Sequence, residues 1–453
     1  MSPPKLMKHQ LKSRAFLKTR KRVLDFSDAG TGKTPVHITD FADRRKKRNG
    51  KCMLVLAPKS LLKSAWGNDI RKFAPELTYS IAWAENRDEA FKANADVYIT
   101  NIDAAVWLAQ QKASFFKKFD SLVIDESTTI KHRTSGRSKA VKKIVKYFEW
   151  RRALSGTPVS NGICDIWHQA YIVDDGARLG KAFFAFQKAT CIPEDNGGFV
   201  KWVDKDGIEP VVGALLEDIT IRNKFEDCVD IPPNHQFSVS FALTESHREL
   251  YEELREQKTV ANKGRSVTAI NGAVLYSKLL QCASGAAYAD PLNEASSYTL
   301  LDTGRYELVN DLVEARDHSI VFFSWAHQRD ELIKSAKARK LKFEMIDGTV
   351  TRKGERERIT EAYQRGEYQV LYANAQTIGH GLTLTKGTRT IFASPTPNLE
   401  HFLQAYKRIY RITQKQKTET IMVIAEGTID EYVWEQCQKK NVKQSDLLTY
   451  LEN

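Results

Sequence analysis

The feature that most constrains this chain is a double series of short apolar runs set between longer, charged, amphipathic stretches. The first series is Val23–Phe26, Met53–Leu56, Val97–Thr100, Leu122–Ile124 and Ala153–Ser155. The second is Ile320–Phe323, Phe343–Ile346, Val370–Tyr372, Thr390–Ala393 and Ile421–Ile424. Several runs are β-branched without in/out alternation, the pattern of parallel strands covered on both faces. Helical stretches such as Gly354–Gln364 and His401–Arg408 lie between them. Strand–helix alternation repeated twice predicts an α/β fold of two doubly wound parallel-sheet domains.

The break falls at Asp230–Asn234, where two prolines end regular structure, so the expected domains are 1–232 and 233–453. Two regions fit the alternation poorly and read as insertions, about 165–230 in the first domain and about 244–302 in the second. Within the first, Gly198–Val212 reads as a hairpin turning at Asp204–Gly207, with Pro210 holding its second strand at an edge.

Composition removes several classes. Apolar residues make up 42% of the 453, enough for a folded core and too many for a disordered chain. No apolar run approaches the roughly 18 residues that span a bilayer, and MSPPKLMKHQ has no signal-like apolar segment, so no membrane partner is expected. Six scattered cysteines without a CxxC pair argue against a zinc cluster or a disulfide framework. Lys+Arg is 69 against Asp+Glu 56, a net charge of +13 that favours polyanionic partners.

Three segments could carry chemistry. After the first apolar run comes DAGTGKT, Asp28–Thr34. A glycine-rich turn between strand and helix aims backbone N–H groups at an anion. Lys33 can reach the β/γ-phosphates and the Thr34 hydroxyl can bind Mg²⁺, although Ser27 stands where the strict phosphate-loop pattern has its first glycine. The second segment is LVIDES, Leu122–Ser127. Two carboxylates closing a buried strand suit a metal ligand, Asp125, and a group that orients attacking water, Glu126; a helix N-cap is the plainer alternative. The third is QAYKRIYRITQ, Gln404–Gln414. If helical, it sets Arg408 and Arg411 on one face at i, i+3, either as paired guanidiniums for a γ-phosphate or as an exposed basic helix.

In this order the segments resemble the Swi/Snf-related (Snf-type) DNA translocases of helicase superfamily two, over nearly the whole chain. LMKHQ (Leu6–Gln10) looks like the adenine-reading segment, DAGTGKT like motif I, LVLAPKSLLKSAW (Leu54–Trp66) like motif Ia and ITNID (Ile99–Asp103) like motif Ib. DESTTIKH (Asp125–His132) resembles motif II, with Ser127 and Thr128 in place of the Ala-His of DEAH. LSGTPVSN (Leu154–Asn161) resembles motif III. In the second half, IVFFSWAHQRDEL (Ile320–Leu332), GHGLTL (Gly379–Leu384) and QAYKRIYRITQ resemble motifs IV, V and VI, with Thr413 where the family usually has Gly.

The resemblance implies two RecA-like lobes with ATP and Mg²⁺ in the cleft between them. Gln10, Asp28, Gly30, Thr31, Gly32, Lys33, Thr34 and Gly381 would bind nucleotide, with Thr34 and Asp125 on the metal. Lys33, Asp125, Glu126, Arg408 and Arg411 would be catalytic, and Ser155, Gly156 and Thr157 would couple the nucleotide site to nucleic acid. Nucleic-acid contacts would come from Lys59, Ser60, Thr100, Asn101, Ser324, Asn374 and Thr377. Trp202 is a further candidate, as a wedge or stacking element on the expected hairpin, against the alternative of packing on the first lobe.

The basic run Arg44–Arg48 reads as a solvated helix end and KAFFAFQ (Lys181–Gln187) as a core stripe. The expected activity is DNA-dependent ATP hydrolysis by a monomer acting on duplex, forked or four-way DNA, through fork remodelling, branch migration or limited unwinding. The alternatives are displacement of DNA-bound proteins and passive binding with an inactive ATP site. Replication or recombination proteins are the expected partners. The location would be the cytoplasm of a prokaryotic or virus-infected cell, or the nucleus in a eukaryote. No histone-reading segment is visible, as in small phage or prokaryotic members.

Overall fold

The computed structural model of the protein describes residues 3–47, 51–195, 200–264, 269–293, 296–350, 352, 354–375, 377 and 383–451. The chain forms two compact units: Met1–Ile192, Trp202–Asp230 and Lys440–Asn453 make the first, Pro193–Lys201 and Ile231–Lys439 the second.

Among the described residues, the first unit is built on a seven-stranded sheet of β1 (Arg22–Asp25), β2 (Cys52–Ala57), β3 (Tyr79–Ala82), β4 (Val97–Asn101), β5 (Phe119–Asp125), β6 (Trp150–Leu154) and β9 (Thr220–Ile221), in the order β3-β4-β2-β5-β6-β1-β9. Its paired strands run parallel. Two apolar layers account for the unbroken runs. Leu54, Leu56, Leu122 and Ile124 enter one core cluster, while Met53, Val55, Ala57 and Val123 enter another. β2 and β5 are therefore dry on both faces over most of their length, while the buried Arg151 and Arg152 inside β6 are held by partners, Arg151 on Asp175 at 2.7 Å and Arg152 on the Arg20 carbonyl at 2.6 Å.

The second unit carries a six-stranded parallel sheet of β10 (Asn234–Phe241), β13 (Ser319–Phe323), β14 (Phe343–Ile346), β15 (Val370–Asn374), β16 (Arg389–Phe392) and β17 (Thr418–Ala425), in the order β10-β17-β16-β13-β15-β14. Val321, Phe323, Tyr372, Ile391 and Val423 fill one face. A buried guanidinium ties this unit together. Arg305 donates to the carbonyls of Ala283 (2.8 Å), Ala393 (2.8 Å) and Val423 (3.1 Å) and pairs with Asp430 at 2.5 Å.

The expected hairpin 198–212 is corrected. β8 (Val200–Asp204) forms a two-stranded sheet with the preceding β7 (Cys191–Asp195), and Ile208–Leu216 is a helix. Gly207 enters that helix at φ +70°, and Pro210 sits in its first turn, where no intrahelical donor is needed. Val212 and Leu216 then face the core beside Leu447, Leu448 and Leu451 from the end of the chain. Phe199 lies outside the described residues. β3, β7, β9, β10 and the antiparallel pair β11 (Ala286–Tyr288) and β12 (Tyr298–Leu300) have no counterpart among the expected strands: β9 is two residues long, and β10 has no buried residue, with four consecutive exposed positions from His235 to Ser238.

Candidate nucleotide site

Parallel strands place their C-terminal ends on one edge, and the register brings the two acidic strand ends to one level. Asp25 of β1 and Asp125 of β5 both pair with Leu154 of β6. Two strand spacings separate their backbones by about 10 Å. The phosphate-type loop follows Asp25, the Ser155–Thr157 loop follows Leu154, and Glu126 follows Asp125. Three of the expected motifs thus converge on a single edge.

In the loop, Gly30 and Gly32 turn through φ +92° and +78°. The Lys33 ammonium donates to the carbonyls of Ser27 (2.7 Å) and Asp28 (3.2 Å), so the loop closes round its own cation. Thr31 is buried and its hydroxyl donates to the Asp28 carbonyl at 2.8 Å. Thr34 lies half-buried in the first turn of the helix Lys33–Lys47. The Asp28 carboxylate accepts from Arg222 (2.7 Å) and from the Phe225 N–H (3.0 Å), which makes it a brace for the loop rather than a nucleotide ligand. Gln10 is buried in the helix Lys8–Thr19 and its amide donates to the Thr31 carbonyl at 3.1 Å, beside His9 on the same oxygen at 2.8 Å.

Beneath the loop, Asp25 is buried against His37 at 3.0 Å and accepts from the Ser27 N–H at 3.1 Å. Burial alone would raise its pKa. The hydrogen bond and charge of His37, together with the charge of Lys33, outweigh that and hold it below the ordinary carboxylate value. The Asp125 carboxylate accepts from the Trp66 indole at 2.9 Å and from the Glu126 N–H at 3.1 Å. Glu126 is held at φ 51°, a strained left-handed conformation that aims its side chain differently from a continuing strand. Trp66 and Asp25 were not expected as site residues. Trp66 lies inside the quoted LVLAPKSLLKSAW segment, whereas its bond to Asp125 spans 59 positions.

The Ser155–Thr157 loop, the expected coupling element, is tightly integrated. Ser155 is buried, its N–H donates to the Asp25 carbonyl at 3.0 Å, and its hydroxyl accepts from the Thr157 N–H at 3.0 Å. Gly156 lies against the Ala29 backbone.

The expected nucleic-acid residues separate. Lys59 and Ser60 are exposed beyond β2, and Asn101 is half-buried with its amide on Asp103 at 3.3 Å. Thr100 is corrected: it is fully buried and its hydroxyl donates to the Ala82 carbonyl at 2.8 Å, leaving it nothing to offer a ligand. Trp202 packs half-buried against the first unit's core, so the stacking role gives way to the packing alternative. In KAFFAFQ, Phe186 is core and Phe183 packs against it, but Phe184 is exposed. The basic run is largely spoken for: Arg44 pairs with Asp40 at 3.0 Å and stacks over Trp150, Arg45 pairs with Asp96, and Lys46 meets Glu76 at 3.0 Å.

In the second unit, the shared helical face for Arg408 and Arg411 is corrected. The helix Leu399–Tyr406 stops before them and tight turns follow, because the Arg408 carbonyl accepts from the Leu384 N–H at 2.9 Å and Gln414 folds back onto the carbonyls of Thr385, Gly387 and Ile409. Arg408 is buried. Arg411 is half-buried, donates to the Thr383 hydroxyl at 3.0 Å, and burial pushes its pKa down to about 10. Thr413, in the usual glycine position, bonds Thr385 at 3.2 Å. Ser324, Asn374 and Thr377 are half-buried at the C-terminal ends of β13 and β15, and Gly381 lies outside the described residues.

The oxygen chemistry fits Mg²⁺. Among the described residues no three His, Cys, Asp or Glu side chains gather as a metal cage, while Thr34 offers a hydroxyl in the first turn after the loop and Asp125 a carboxylate at a strand end of the same sheet edge. Mg²⁺ typically takes only one or two protein oxygens and completes its shell with phosphate and water.

The model of the SNF2-related domain matches residues 10–284, and that of the helicase conserved C-terminal domain matches residues 304–413. Protein p41 of Acyrthosiphon pisum secondary endosymbiont phage 1 is 27% identical over 94% of this chain and 94% of its own length. An uncharacterized ATP-dependent helicase of Mycoplasma pneumoniae is 26% identical over 92% of this chain, which spans only 39% of that protein. Among solved structures, the Sulfolobus solfataricus SWI2/SNF2 ATPase core in complex with dsDNA is 22% identical with a TM-score of 0.45, covering 99% of this chain and 95% of the other. The two family matches establish that this chain belongs to the SNF2-related family of helicase superfamily two, and is an ATPase.

Proposed function

We propose that the chain is a motor that spends ATP to move along duplex DNA and to remodel branched DNA, by fork regression, branch migration or limited unwinding. The observation that carries the reading is the convergence of the Lys33 loop, the Asp125–Glu126 pair and the Ser155–Thr157 loop on one sheet edge. Support for a nucleic-acid track comes from the +13 charge and from the exposed Lys59 and Ser60 beyond β2.

In this reading the Lys33 ammonium leaves the carbonyls of Ser27 and Asp28 for the β/γ-phosphates, and backbone N–H groups of the loop donate to the anion. Thr34 and Asp125 would hold Mg²⁺, which would supply Lewis-acid stabilisation of phosphate charge. Glu126 orients the attacking water and takes its proton; Trp66 and the Glu126 N–H fix the Asp125 carboxylate so that the two acids keep separate tasks. Gln10 senses the loop at Thr31. Arg408 and Arg411 stabilise the charge that develops on the γ-phosphate. Ser155, Gly156 and Thr157 pass the state of the loop onward through the Asp25 carbonyl and the Ala29 backbone.

The test is ATP hydrolysis measured with no DNA and with single-stranded, duplex, forked and four-way DNA. Stimulation is expected to be strongest with duplex or branched DNA, and Lys33→Ala should lower the stimulated rate at least about 100-fold. Full activity in Lys33→Ala would remove the site assignment, and equal rates with and without every DNA would remove the motor.

A further inference from the structure

We infer that Gln169 is a positioning residue that locks the segment after the acidic pair to the coupling loop, an inference that rests on the motor reading above. Gln169 lies fully buried in the helix Cys164–Asp174. Its amide oxygen accepts from the Ser127 hydroxyl at 2.6 Å. Its amide nitrogen donates to the Pro158 carbonyl at 2.8 Å and to the Asp165 carbonyl at 2.9 Å. Ser127 directly follows Glu126 and Pro158 directly follows Thr157, so a single side chain joins the residues adjoining the proposed base and the proposed coupling loop.

One turn earlier on the same helix, Asp165 repeats the linkage. Its carboxylate accepts from the Asn161 N–H at 2.9 Å and pairs with Lys131 at 3.1 Å, while Lys131 donates to the Ser160 hydroxyl at 2.6 Å. The helix thus presents two polar rungs, at i and i+4, each holding the 127–131 segment and the 158–161 segment together. Both amide hydrogens of Gln169 are used and no water is needed to complete the link. Buried networks satisfied in this way resist continuous deformation, so a displacement of one loop must move the other or break the bond. The DEAH pattern has Ala where this chain has Ser127, and an Ala there could not donate to Gln169. The hydroxyl and its amide acceptor act as a matched pair.

The experiment compares the full chain with Gln169→Leu, Ser127→Ala and the double variant, measuring kcat and the KM for ATP with duplex DNA, and the melting temperature. Gln169→Leu is expected to lower the DNA-stimulated kcat about tenfold with KM within about twofold, Ser127→Ala to do the same, and the double variant to be no worse than either single one. Stimulated kcat values within about twofold of the parent in both single variants would overturn the role. So would kcat, KM and melting temperature falling in step, which marks a purely structural residue. Ser127→Ala removes one hydroxyl and keeps the assay decisive if Gln169→Leu does not fold. A parent chain without DNA stimulation would sink the motor reading itself. A stimulated parent matched by both variants sinks only the Gln169 link.

Discussion

The amide nitrogen of Gln10 occupies the space where Gly32 lacks a side chain. A Cβ built on Gly32 would lie 2.2 Å from Gln10 Nε2, and Gly32 turns through φ +78°. The helix Lys8–Thr19 and the Asp28–Thr34 loop therefore touch without intervening atoms. Gly32→Ala should expel the Gln10 amide and strain the loop by at least about 1–2 kcal/mol. The expected result is a tenfold or larger rise in the Kd for an ATP analogue, measured by fluorescence titration, with a lowered melting temperature. Unchanged affinity would separate Gln10 from the nucleotide site.

The acid and the guanidinium are assigned different steps from binding. Glu126→Gln keeps the shape of the site and should lower kcat roughly 100- to 10,000-fold while the KM for ATP changes little. Arg411→Ala should lower DNA-stimulated kcat by about 1,000-fold. Steady-state ATPase measurements check both, and a dominant effect on KM in either variant would reassign that residue to ground-state binding.

Acid should weaken each unit through a buried histidine. Desolvation pushes the pKa of His168 down to about 4, against a hydrogen bond to the Ile130 carbonyl that raises it, and pushes His327 down to about 3. Each stays neutral in the folded chain where its unfolded counterpart, with an ordinary pKa near 6.5, takes up a proton. The stabilisation is complete above about pH 6.5 and is lost as pH falls toward the folded values. At pH 5 the loss is about 2 kcal/mol per histidine. Denaturant titrations at pH 7 and pH 5 should show this difference, and His168→Gln should flatten it for the first unit. A slope unaltered by the substitution would place the acid sensitivity elsewhere.

Arg305 and Asp430 form a pair whose removal by halves is costly. Arg305→Met leaves Asp430 buried without its cation and three carbonyls without their donor. A loss of about 3–5 kcal/mol in the second unit is expected, partly recovered by Asp430→Asn in the same chain. Urea unfolding followed by far-ultraviolet dichroism reads both.

Contacts to a nucleic-acid backbone predict a salt signature. Lys59→Ala should weaken duplex binding similarly for unrelated sequences and reduce the slope of log K against log salt by about 1. Fluorescence anisotropy at several salt concentrations tests it; an unchanged slope would remove Lys59 from the interface.

What was legible in the chain was whatever local chemistry dictates. Short apolar runs without alternation, spaced by charged helical stretches, suit strands dry on both faces, and β2, β5 and β13 are so. A glycine-rich turn ending in Lys-Thr, and two carboxylates closing an apolar strand, are costly away from an anion or a cation, so they marked the candidate site, and the sheet register brings them to one edge. Where two local readings were equally permitted, neighbours decided. Ile208–Val212 is apolar enough for a strand, but Gly207 and Pro210 also suit a helix start, and burial of Val212 and Leu216 against the chain's own end selects the helix. Gln404–Gln414 continues as a helix by propensity, yet the bond from Leu384 and the folding back of Gln414 stop it at Tyr406.

Sequence alone determined the strand series and the motif order, and it singled out the candidates for phosphate and metal, because these depend on residue type and short spacing. Only the tertiary structure decided that Thr100 and Trp202 face inward, that Trp66 holds Asp125, and that Gln169 joins Ser127 to Pro158. Each of those facts depends on a partner 11 to 59 positions away or on packing against a distant segment, and a hydrogen bond across such a distance leaves no periodicity in the chain to read.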